Sequence, residues 1–510
     1  MLRKIRIFVA ACCFIGLCLL FVDVSGLATP ILSPLAKLQF VPAAISGGAA
    51  IALAILAATF LLGRVYCSTL CPLGVLQDII GRIGGRRHAF TPNLKWLRLG
   101  SLVVFVACFA AGGPLIVDLL EPYSAFGRIA TDLFAPVWQA GSNVLAAAAA
   151  RADSFAIGPT PIWQKGIGAL VAAILTLTTV GVLAWRGGRT WCNTLCPVGA
   201  VLGLLGRHAI LRHRVDWNKC NGCGTCDRRC KANCIDTERG VVDGSRCVAC
   251  FDCIDVCPRK AITYGFAGSS AAPASSAPPA SSESSLSRDA AIAPEAPSAP
   301  QTAPPDPGRR NLLAMLSLGA LAPHMLRRDM QAEEQIPALT RRLPAVREVP
   351  VVPPGAQSLE GFRRQCTGCQ LCVASCPAQA LSAAQGGKSL LQPTLTFEHG
   401  YCRVNCVTCS TLCPTGAIKP IDAAVKSATQ IGRAVVDRSV CINETSEDHC
   451  NACVRNCPPG AITLVQGEGD AKRIAIDTER CTGCGACEYI CPVRPMAAIW
   501  VEGNLEHRRI

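Results

Sequence analysis

The chain has 510 residues, more than one ordinary domain contains, so two to four structural units are expected. Half of the residues are apolar and only 16% are charged, which fits a membrane segment joined to soluble modules. The formal charge is +14, but the basic residues mostly flank apolar runs and do not alternate with aromatic residues, which argues against a nucleic-acid binder.

Cysteine is the residue type that carries the chemistry, with 33 copies in the chain. Disulfide scaffolds are short secreted chains, and this chain is neither short nor of that composition. Structural zinc sites use pairs of C-x2-C, whereas this chain has repeated cysteine tetrads, most of which end in Cys-Pro. The spacing therefore favours iron–sulfur clusters.

Four uncharged apolar runs precede the first tetrad, and most reach the ~20 residues that cross a bilayer. They are residues 7–22, 40–63, 99–117 and 166–185. Basic residues precede the first run and follow the second and fourth, so the positive-inside rule places the N-terminus in the cytoplasm. A weaker run, 133–150, is interpreted as a surface helix on the outer face. We expect an α-helical membrane domain of four transmembrane helices over residues 1–215.

A short motif occurs twice inside this domain, at residues 63–74 and 188–199. Both copies follow the pattern G-R-x-aromatic-C-x-T-L-C-P-x-G, which indicates an internal duplication. On a helix, cysteines at i and i+4 share one face, so four thiols could converge on a further metal or redox centre. A buried structural thiol pair is the alternative. The cysteines concerned are Cys67, Cys71, Cys192 and Cys196.

The electron donor is predicted to be a quinol. The apolar runs contain no His to ligate a b-type haem, and neither a C-x-x-C-H motif nor a convincing dinucleotide fingerprint is present. Just past the third run, Asp118, Glu121, Tyr123 and Arg128 supply acids, a phenol and a guanidinium at the outer boundary. These groups suit a quinol head group and its protons, although a helix end stopped by Pro122 has the same composition.

Residues 216–265 form a first, two-cluster ferredoxin module on the cytoplasmic side. Its tetrads are Cys220, Cys223, Cys226, Cys230 and Cys247, Cys250, Cys253, Cys257. In bacterial ferredoxins the fourth cysteine usually ligates the other cluster of a pair, so Cys257 is expected to complete the first cluster and Cys230 the second. Cys234 is an extra thiol that competes with Cys230, which we favour.

Residues 266–308 are rich in Ala, Pro and Ser, cannot bury a core, and are expected to be a disordered linker. The following segment, 309–344, opens on Arg309-Arg310 and an apolar stretch that resembles an internal twin-arginine export signal. An amphipathic helix lying on the membrane is the alternative.

Residues 345–510 form a second ferredoxin module, with α+β folding of the bacterial-ferredoxin type. Its tetrads are Cys366, Cys369, Cys372, Cys376; Cys402, Cys406, Cys409, Cys413; Cys441, Cys450, Cys453, Cys457; and Cys481, Cys484, Cys487, Cys491. With the first module they predict six [4Fe–4S] clusters. Whether Cys491 ligates its own cluster or that of Cys366, Cys369 and Cys372 is open from spacing alone.

The layout resembles two families. The spans, the C-x3-C-P motifs and the two cytoplasmic clusters resemble NapH-type membrane polyferredoxins, and the second module resembles NapG/MauM-type ferredoxins. The second resemblance rests on Arg309-Arg310, Pro353-Pro354-Gly355-Ala356, Gly400-Tyr401-Cys402-Arg403 and Cys413-Pro414-Thr415-Gly416-Ala417-Ile418. It implies a fusion of two normally separate chains that together pass electrons from quinol to an extracytoplasmic reductase, with the second module exported.

The sequence thus indicates a multi-pass protein of the bacterial inner membrane, a quinol-dehydrogenase-type component whose partners are the quinone pool and an oxidoreductase. A rival class is a metal-handling or oxidase-assembly factor, because related cytoplasmic polyferredoxins share the C-x3-C-P spans. A redox-sensing regulator would require an added sensory or flavin domain, and the sequence shows none.

Overall fold

A computed structural model describes the chain except residues 24–25, 86–89, 92, 155–157, 217, 238–240, 267–341, 446–448 and 468–471. The predicted linker and the twin-arginine segment lie almost wholly outside the described residues. Met1–Ser269 and Leu343–Ile510 together make one compact unit.

The N-terminal part is helical. Its helices are α1 (Leu2–Val22), α2 (Thr29–Lys37), α3 (Phe40–Ile45), α4 (Ala49–Leu62), α5 (Val65–Thr69), α6 (Pro72–Gly84), α7 (Lys95–Ala110), α8 (Pro114–Leu120), α9 (Pro122–Ile129), α10 (Ala135–Arg151), α11 (Ile167–Gly187), α12 (Thr190–Thr194) and α13 (Pro197–Gly206). Within the described residues, α1 and α11 are the two helices long and apolar enough to cross a membrane. The apolar helices α4 and α13 are shorter.

The predicted four transmembrane helices are therefore not confirmed. The run 40–63 is divided between α3 and α4, because Gly47 turns the chain with a φ of 79°. The run 99–117 is divided between α7 and α8, where Gly112 has a φ of 71° and Pro114 starts the new helix. The run 133–150 corresponds to α10, which continues from a π-helical turn at Ala130–Phe134.

The first ferredoxin module is built from short antiparallel pairs. Strand β1 (Leu211–Val215) is followed by helix α14 (Thr225–Arg228), β2 (Ile235–Asp236), β3 (Val241–Val242), helix α15 (Asp252–Val256) and β4 (Ile262–Phe266). Strand β1 pairs with β4, and β2 pairs with β3. Each short helix follows a cysteine-rich loop. The paired strands on either side hold these loops and helices in place.

The second ferredoxin module repeats this plan. It contains α16 (Leu359–Gln365), α17 (Leu371–Ala374), β5 (Leu381–Ala383), a 3-10 turn (Gly387–Ser389), β6 (Pro393–Leu395), α18 (Thr408–Leu412), α19 (Ala423–Ser427), β7 (Thr429–Val436), α20 (Ile442–Thr445), α21 (Ala452–Arg455), β8 (Ile462–Gln466), β9 (Lys472–Ile476), α22 (Ala486–Ile490) and β10 (Ile499–Arg509). The antiparallel pairs are β5 with β6, β8 with β9 and β7 with β10. Val351, Phe362, Phe397 and Val501 lie in its buried core.

The two ferredoxin modules contact opposite ends of α11. At its C-terminal end, the Asn233 side-chain amide donates to the Gly187 carbonyl at 3.0 Å. At its N-terminal end, the Ala383 amide donates to the Lys165 carbonyl at 2.8 Å. A 21-residue helix extends roughly 30 Å, which is about the thickness of a bilayer core.

Candidate iron–sulfur sites

The structure brings the cysteines together in groups of four, and each group takes three cysteines from one tetrad and the last from its neighbour. Four groups line cavities: Cys220, Cys223, Cys226 with Cys257; Cys366, Cys369, Cys372 with Cys413; Cys402, Cys406, Cys409 with Cys376; and Cys441, Cys450, Cys453 with Cys491. In the remaining two groups the thiols lie close enough to interact electrostatically with one another. These groups are Cys247, Cys250, Cys253 with Cys230, and Cys481, Cys484, Cys487 with Cys457. The arrangement is crossed throughout.

Cys491 belongs to neither of the two clusters considered from the sequence. It lines a cavity with Cys441, Cys450 and Cys453, and none of the other three cysteines of its own tetrad lines that cavity. The fourth cysteine of each tetrad begins the segment that returns toward the paired tetrad, so its partner is decided by which loops pack together. The tetrads starting at Cys366 and Cys402 form one pair, and those starting at Cys441 and Cys481 form the other.

Backbone amides point at several of the crossing cysteines. The Ala261 amide donates to the Cys257 sulfur at 3.3 Å, and the Ala461 amide donates to the Cys457 sulfur at the same distance. The Ile418 amide donates to the Cys413 sulfur at 3.4 Å. Such bonds favour a negatively charged sulfur and are one of the levers by which a protein sets the potential of a cluster.

Cys234, the extra thiol, is buried beside the ligand that we favour. Its sulfur lies 3.5 Å from that of Cys230, and it is also in electrostatic contact with Cys247. Cys230 and Cys234 therefore lie side by side at the same cluster site, and the assignment of Cys230 as the ligand stays a prediction.

The four cysteines of the duplicated motif also come together. Cys67, Cys71, Cys192 and Cys196 are buried and lie within electrostatic reach of one another. The Gln77 side-chain amide donates to the Cys192 sulfur at 3.1 Å, and the Gly199 amide donates to the Cys196 sulfur at 3.3 Å. The convergence expected from the sequence is present.

Two arginines of the same motif hold these cysteines in place, each acting on the other copy. Arg64 donates to the Cys192 carbonyl at 3.3 Å, and Arg189 donates to the Cys67 carbonyl. Both guanidinium groups are fully buried. Neither arginine was assigned a role from the sequence, although their presence in both copies of the motif was the available signal.

The carboxylate of Asp78, whose side chain is 12% exposed, was also missed from the sequence. It accepts from Arg189 at 2.7 Å, from Arg6 at 3.2 Å and from Lys231 at 3.3 Å. Burial alone would raise the pKa of the Asp78 carboxyl, but these three cations outweigh it and lower the pKa to about 2. Because Lys231 belongs to the first ferredoxin module, this network joins that module to the helices.

Asp118, Glu121, Tyr123 and Arg128 lie together and are fully buried. Glu121 accepts from the amides of Tyr123 and Ser124, and so caps α9. Among the described residues, neither oxygen of Asp118, nor the Tyr123 hydroxyl, nor two nitrogens of Arg128 has a hydrogen-bond partner. Burial raises the pKa of the Asp118 carboxyl well above its usual range.

This polar group lies directly under one of the cysteine loops. Arg128 donates to the Gly368 carbonyl at 3.5 Å. A Cβ atom on Gly127 would lie 2.2 Å from the Cys369 carbonyl oxygen, so only glycine permits this approach. The loop from Cys366 to Cys372 is therefore the part of the second module that meets the helical part here.

In the described part of the chain, no three His, Cys, Asp or Glu side chains are close enough to bind a single metal ion. An iron–sulfur cluster occupies a cavity between its ligand sulfurs, and four of the cysteine groups line cavities. Fold and sites together define an iron–sulfur protein of the polyferredoxin class.

Comparison with known proteins agrees with this class. A "4Fe-4S binding domain" family model matches residues 47–89 and 169–218, and a "4Fe-4S dicluster domain" model matches 365–417 and 448–494. The ferredoxin-type protein NapH of Escherichia coli is 30% identical over 261 residues, which cover 48% of this chain and 77% of that protein. No solved structure matches the chain.

The methylamine utilization ferredoxin-type protein MauM of Methylobacillus flagellatus is 35% identical over 162 residues, which cover 30% of this chain and 69% of that protein. MauM of Paracoccus denitrificans is 34% identical over the same number of residues and is covered to 72%. The chain belongs to the NapH/MauM-type polyferredoxins, as the motifs predict. It is an iron–sulfur electron-transfer protein.

Proposed function

We propose that this protein is membrane-bound and takes electrons from quinol, which it passes to a partner reductase. The observation that carries the proposal is the contact between the Cys366–Cys372 loop and the buried group of Asp118, Tyr123 and Arg128. A redox substrate bound at that group would lie next to the first cysteine site of the second module.

The six crossed groups of cysteines would each hold one [4Fe–4S] cluster, which supplies one-electron transfer. Quinol gives two electrons, so several one-electron centres in series make a suitable acceptor. In the second module the Cys402 amide donates to the Cys484 carbonyl at 3.0 Å, which makes those two sites neighbours. The site of Cys366 then stands at the membrane end of a linear series, and the site of Cys441 stands at the far end.

The quinol head group would occupy the place where buried polar atoms lack partners. Buried polar atoms in proteins are nearly always hydrogen-bonded, so Asp118, Tyr123 and Arg128 have capacity for a ligand. A quinol presents two hydroxyl groups, which suit a carboxylate acceptor and a guanidinium donor. Leu115 and Ile116, on the same helix as Asp118, are exposed and would meet the apolar tail.

The proposal places the first ferredoxin module in the cytoplasm and the second outside. It is supported by the contacts of the modules with opposite ends of α11 and by the basic residues near the end that the first module contacts. The segment that would direct export, with Arg309 and Arg310, lies outside the described residues.

Purified protein mixed with a quinol analogue tests the reaction, with cluster reduction followed by stopped-flow absorbance. We expect rapid bleaching in the wild type and a rate at least tenfold lower in Asp118→Asn and in Arg128→Met. Asp153→Asn, an exposed acid beyond α10, is the matched control and should behave as the wild type. Clusters that stay oxidised in the wild type would refute quinol oxidation.

Reporter fusions test the topology. A reporter that is active only outside the cytoplasm should be active after Ile510 and inactive before Met1. Activity of a cytoplasm-only reporter after Ile510 would refute export of the second module.

A further inference from the structure

Cys67, Cys71, Cys192 and Cys196 form a buried thiol group, and three of them, Cys67, Cys71 and Cys196, belong to one continuous core that reaches both ferredoxin modules. The same core includes Leu371 and Leu412 of the second module and Cys230, Cys250 and Cys253 of the first. Every other cysteine site belongs to one module, whereas this one is built by the helices between the modules. The thiol group therefore differs from the other cysteine sites in its position between the two modules.

The inner side of the thiol group touches the first module through short contacts. The Asn193 side-chain amide donates to the Ala232 carbonyl at 3.1 Å, and the Arg189 amide donates to the Lys231 carbonyl at 2.8 Å. Lys231 directly follows Cys230, which is a ligand of the inner cluster in the proposed assignment. One hydrogen bond thus joins the segment that leads into Cys192 to the residue that follows Cys230.

The outer side of the thiol group leads to the second module through two tyrosines. Tyr66, one residue before Cys67, is within electrostatic reach of Glu121. Glu121 in turn accepts from the amide of Tyr123, which is within electrostatic reach of Cys369 and Cys413. Tyr66 and Tyr123 therefore belong, with Cys67 and Cys71, to the buried core that reaches Leu371 and Leu412 of the second module.

The charges around the thiol group require a negative partner. Arg189 has the Asp78 carboxylate, but Asp78 is shared with Arg6 and Lys231. Arg64 is buried and, among the described residues, its hydrogen-bond partners are neutral: the Asn193 side chain, backbone carbonyls and the Cys67 sulfur. A buried cation without an anion costs several kcal/mol. An iron centre ligated by four thiolates is anionic and would balance these guanidinium groups.

We propose that Cys67, Cys71, Cys192 and Cys196 ligate an iron–sulfur centre that connects the inner and outer clusters, so that the chain conducts electrons across the membrane. The proposal rests on the cluster assignment of the proposed function but not on quinol. A reduced one-electron carrier, of the small ferredoxin or flavodoxin class, would donate at the first module, where Cys223 is exposed. Each step transfers one electron from a reduced to an oxidised centre, and no bond is made or broken.

Electron tunnelling falls steeply with distance, so a centre at the thiol group would shorten the gap between the inner and outer clusters. A disulfide in this place would exchange two electrons with one-electron neighbours, and the four cysteines are free thiols in the structure. The iron–sulfur centre fits both the charge and the electron count.

The first test counts iron and records electron paramagnetic resonance spectra of the reduced full chain. We expect Cys67→Ser/Cys192→Ser to lose iron and one spectral component while the ferredoxin signals persist. Cys12→Ser/Cys108→Ser, which removes two other cysteines of the helical part, is the matched control and should keep the wild-type spectrum. Unchanged iron and spectra in the first variant would overturn the proposal.

A milder variant covers the case in which the double variant does not fold. Gln77→Leu removes the hydrogen bond to the Cys192 sulfur and leaves all four thiols. It should lower the midpoint potential of the extra centre alone, since a donor to sulfur stabilises the reduced form. A titration in which no centre moves would count against a cluster at this site.

The second test measures conduction in vesicles that contain the full chain, with ferricyanide trapped inside and dithionite added outside. We expect ferricyanide reduction with the wild type and the control, and at least a tenfold lower rate with Cys67→Ser/Cys192→Ser. Equal rates in that variant would refute the conduit. Reduction by quinol in the stopped-flow assay is separate: its failure with intact conduction refutes only the quinol proposal.

Discussion

The two copies of the duplicated motif have the same local structure but different surroundings. In each copy, the glycine after Cys-Pro lies against a cysteine carbonyl: a Cβ atom on Gly74 would be 2.4 Å from the Cys67 oxygen, and one on Gly199 would be 2.0 Å from the Cys192 oxygen. In each copy, an arginine reaches across to the other. Both copies therefore preserve the glycine and the arginine that hold the four thiols in position.

The copies differ four residues after that glycine. The first copy has Asp78, which binds Arg189, Arg6 and Lys231. The second has Gly203, and a Cβ atom there would lie 1.3 Å from an Arg98 nitrogen. Arg98 uses this space to donate to the carbonyls of Gly199 and Ser245.

Both differences face the first ferredoxin module, since Lys231 and Ser245 belong to it. The duplicated halves thus kept their thiol geometry and diverged where each half meets the same asymmetric partner. One half supplies a carboxylate to the module, and the other supplies room for a guanidinium. Substitutions can test this division.

The largest effect is expected for Arg189→Met. Removing one member of a buried ion pair costs about 3–5 kcal/mol, and Asp78 would lose its shortest contact. Arg64→Met removes hydrogen bonds from a charged donor to neutral groups and should cost about 1.5–3 kcal/mol. Denaturation of both variants in detergent measures the difference. Equal losses would show that Asp78 does not distinguish the copies.

Next in size is Gly199→Ala, because the new methyl group would meet a backbone carbonyl that cannot move aside. Overpacking of this kind costs about 1–3 kcal/mol. Gly74→Ala should have a similar effect, since the copies are alike here. Gly181→Ala, in α11 with open space around it, is the control and should be neutral or slightly stabilising. The same denaturation assay decides.

A smaller effect is expected for Gly203→Ala. The methyl group displaces Arg98, so two hydrogen bonds at about 1 kcal/mol each are at risk. In an Arg98→Ala background the same change should cost little, because the space is then free. A double-mutant cycle measures this coupling. If the losses of the two single variants simply add in the double variant, Gly203 is not required to make room for Arg98.

The smallest effect is expected for Asn193→Ser, which makes the second copy resemble the first, where Ser68 stands. It removes one bond from Arg64 and one to the Ala232 carbonyl, at about 1 kcal/mol each, and the serine hydroxyl replaces one of them, so the net loss is about 1 kcal/mol. The reverse change in the first copy, Ser68→Asn, should gain no hydrogen bonds equivalent to those that Asn193 makes with Arg64 and the Ala232 carbonyl. A loss in both variants of the same size would contradict the asymmetry.

The grouping of three cysteines on each loop could be predicted from the sequence because it depends on local spacing. Three cysteines on one loop, such as Cys481, Cys484 and Cys487, are brought together by the loop itself, whatever the rest of the chain does. The duplicated motif was visible for the same reason. The family followed from these local patterns.

The partner of the fourth cysteine needed the tertiary structure, because it depends on which loops pack together far along the chain. Cys491 joins Cys441 rather than Cys366 for that reason. Apolar runs predicted the helices but not their breaks at Gly47 and Gly112, where backbone conformation overrides hydropathy. Local spacing alone determined the cysteine loops. Long-range packing decided how the loops pair, the reciprocal bonds of Arg64 and Arg189 to the other copy of the motif, and the buried contact between Arg128 and the Cys366 loop.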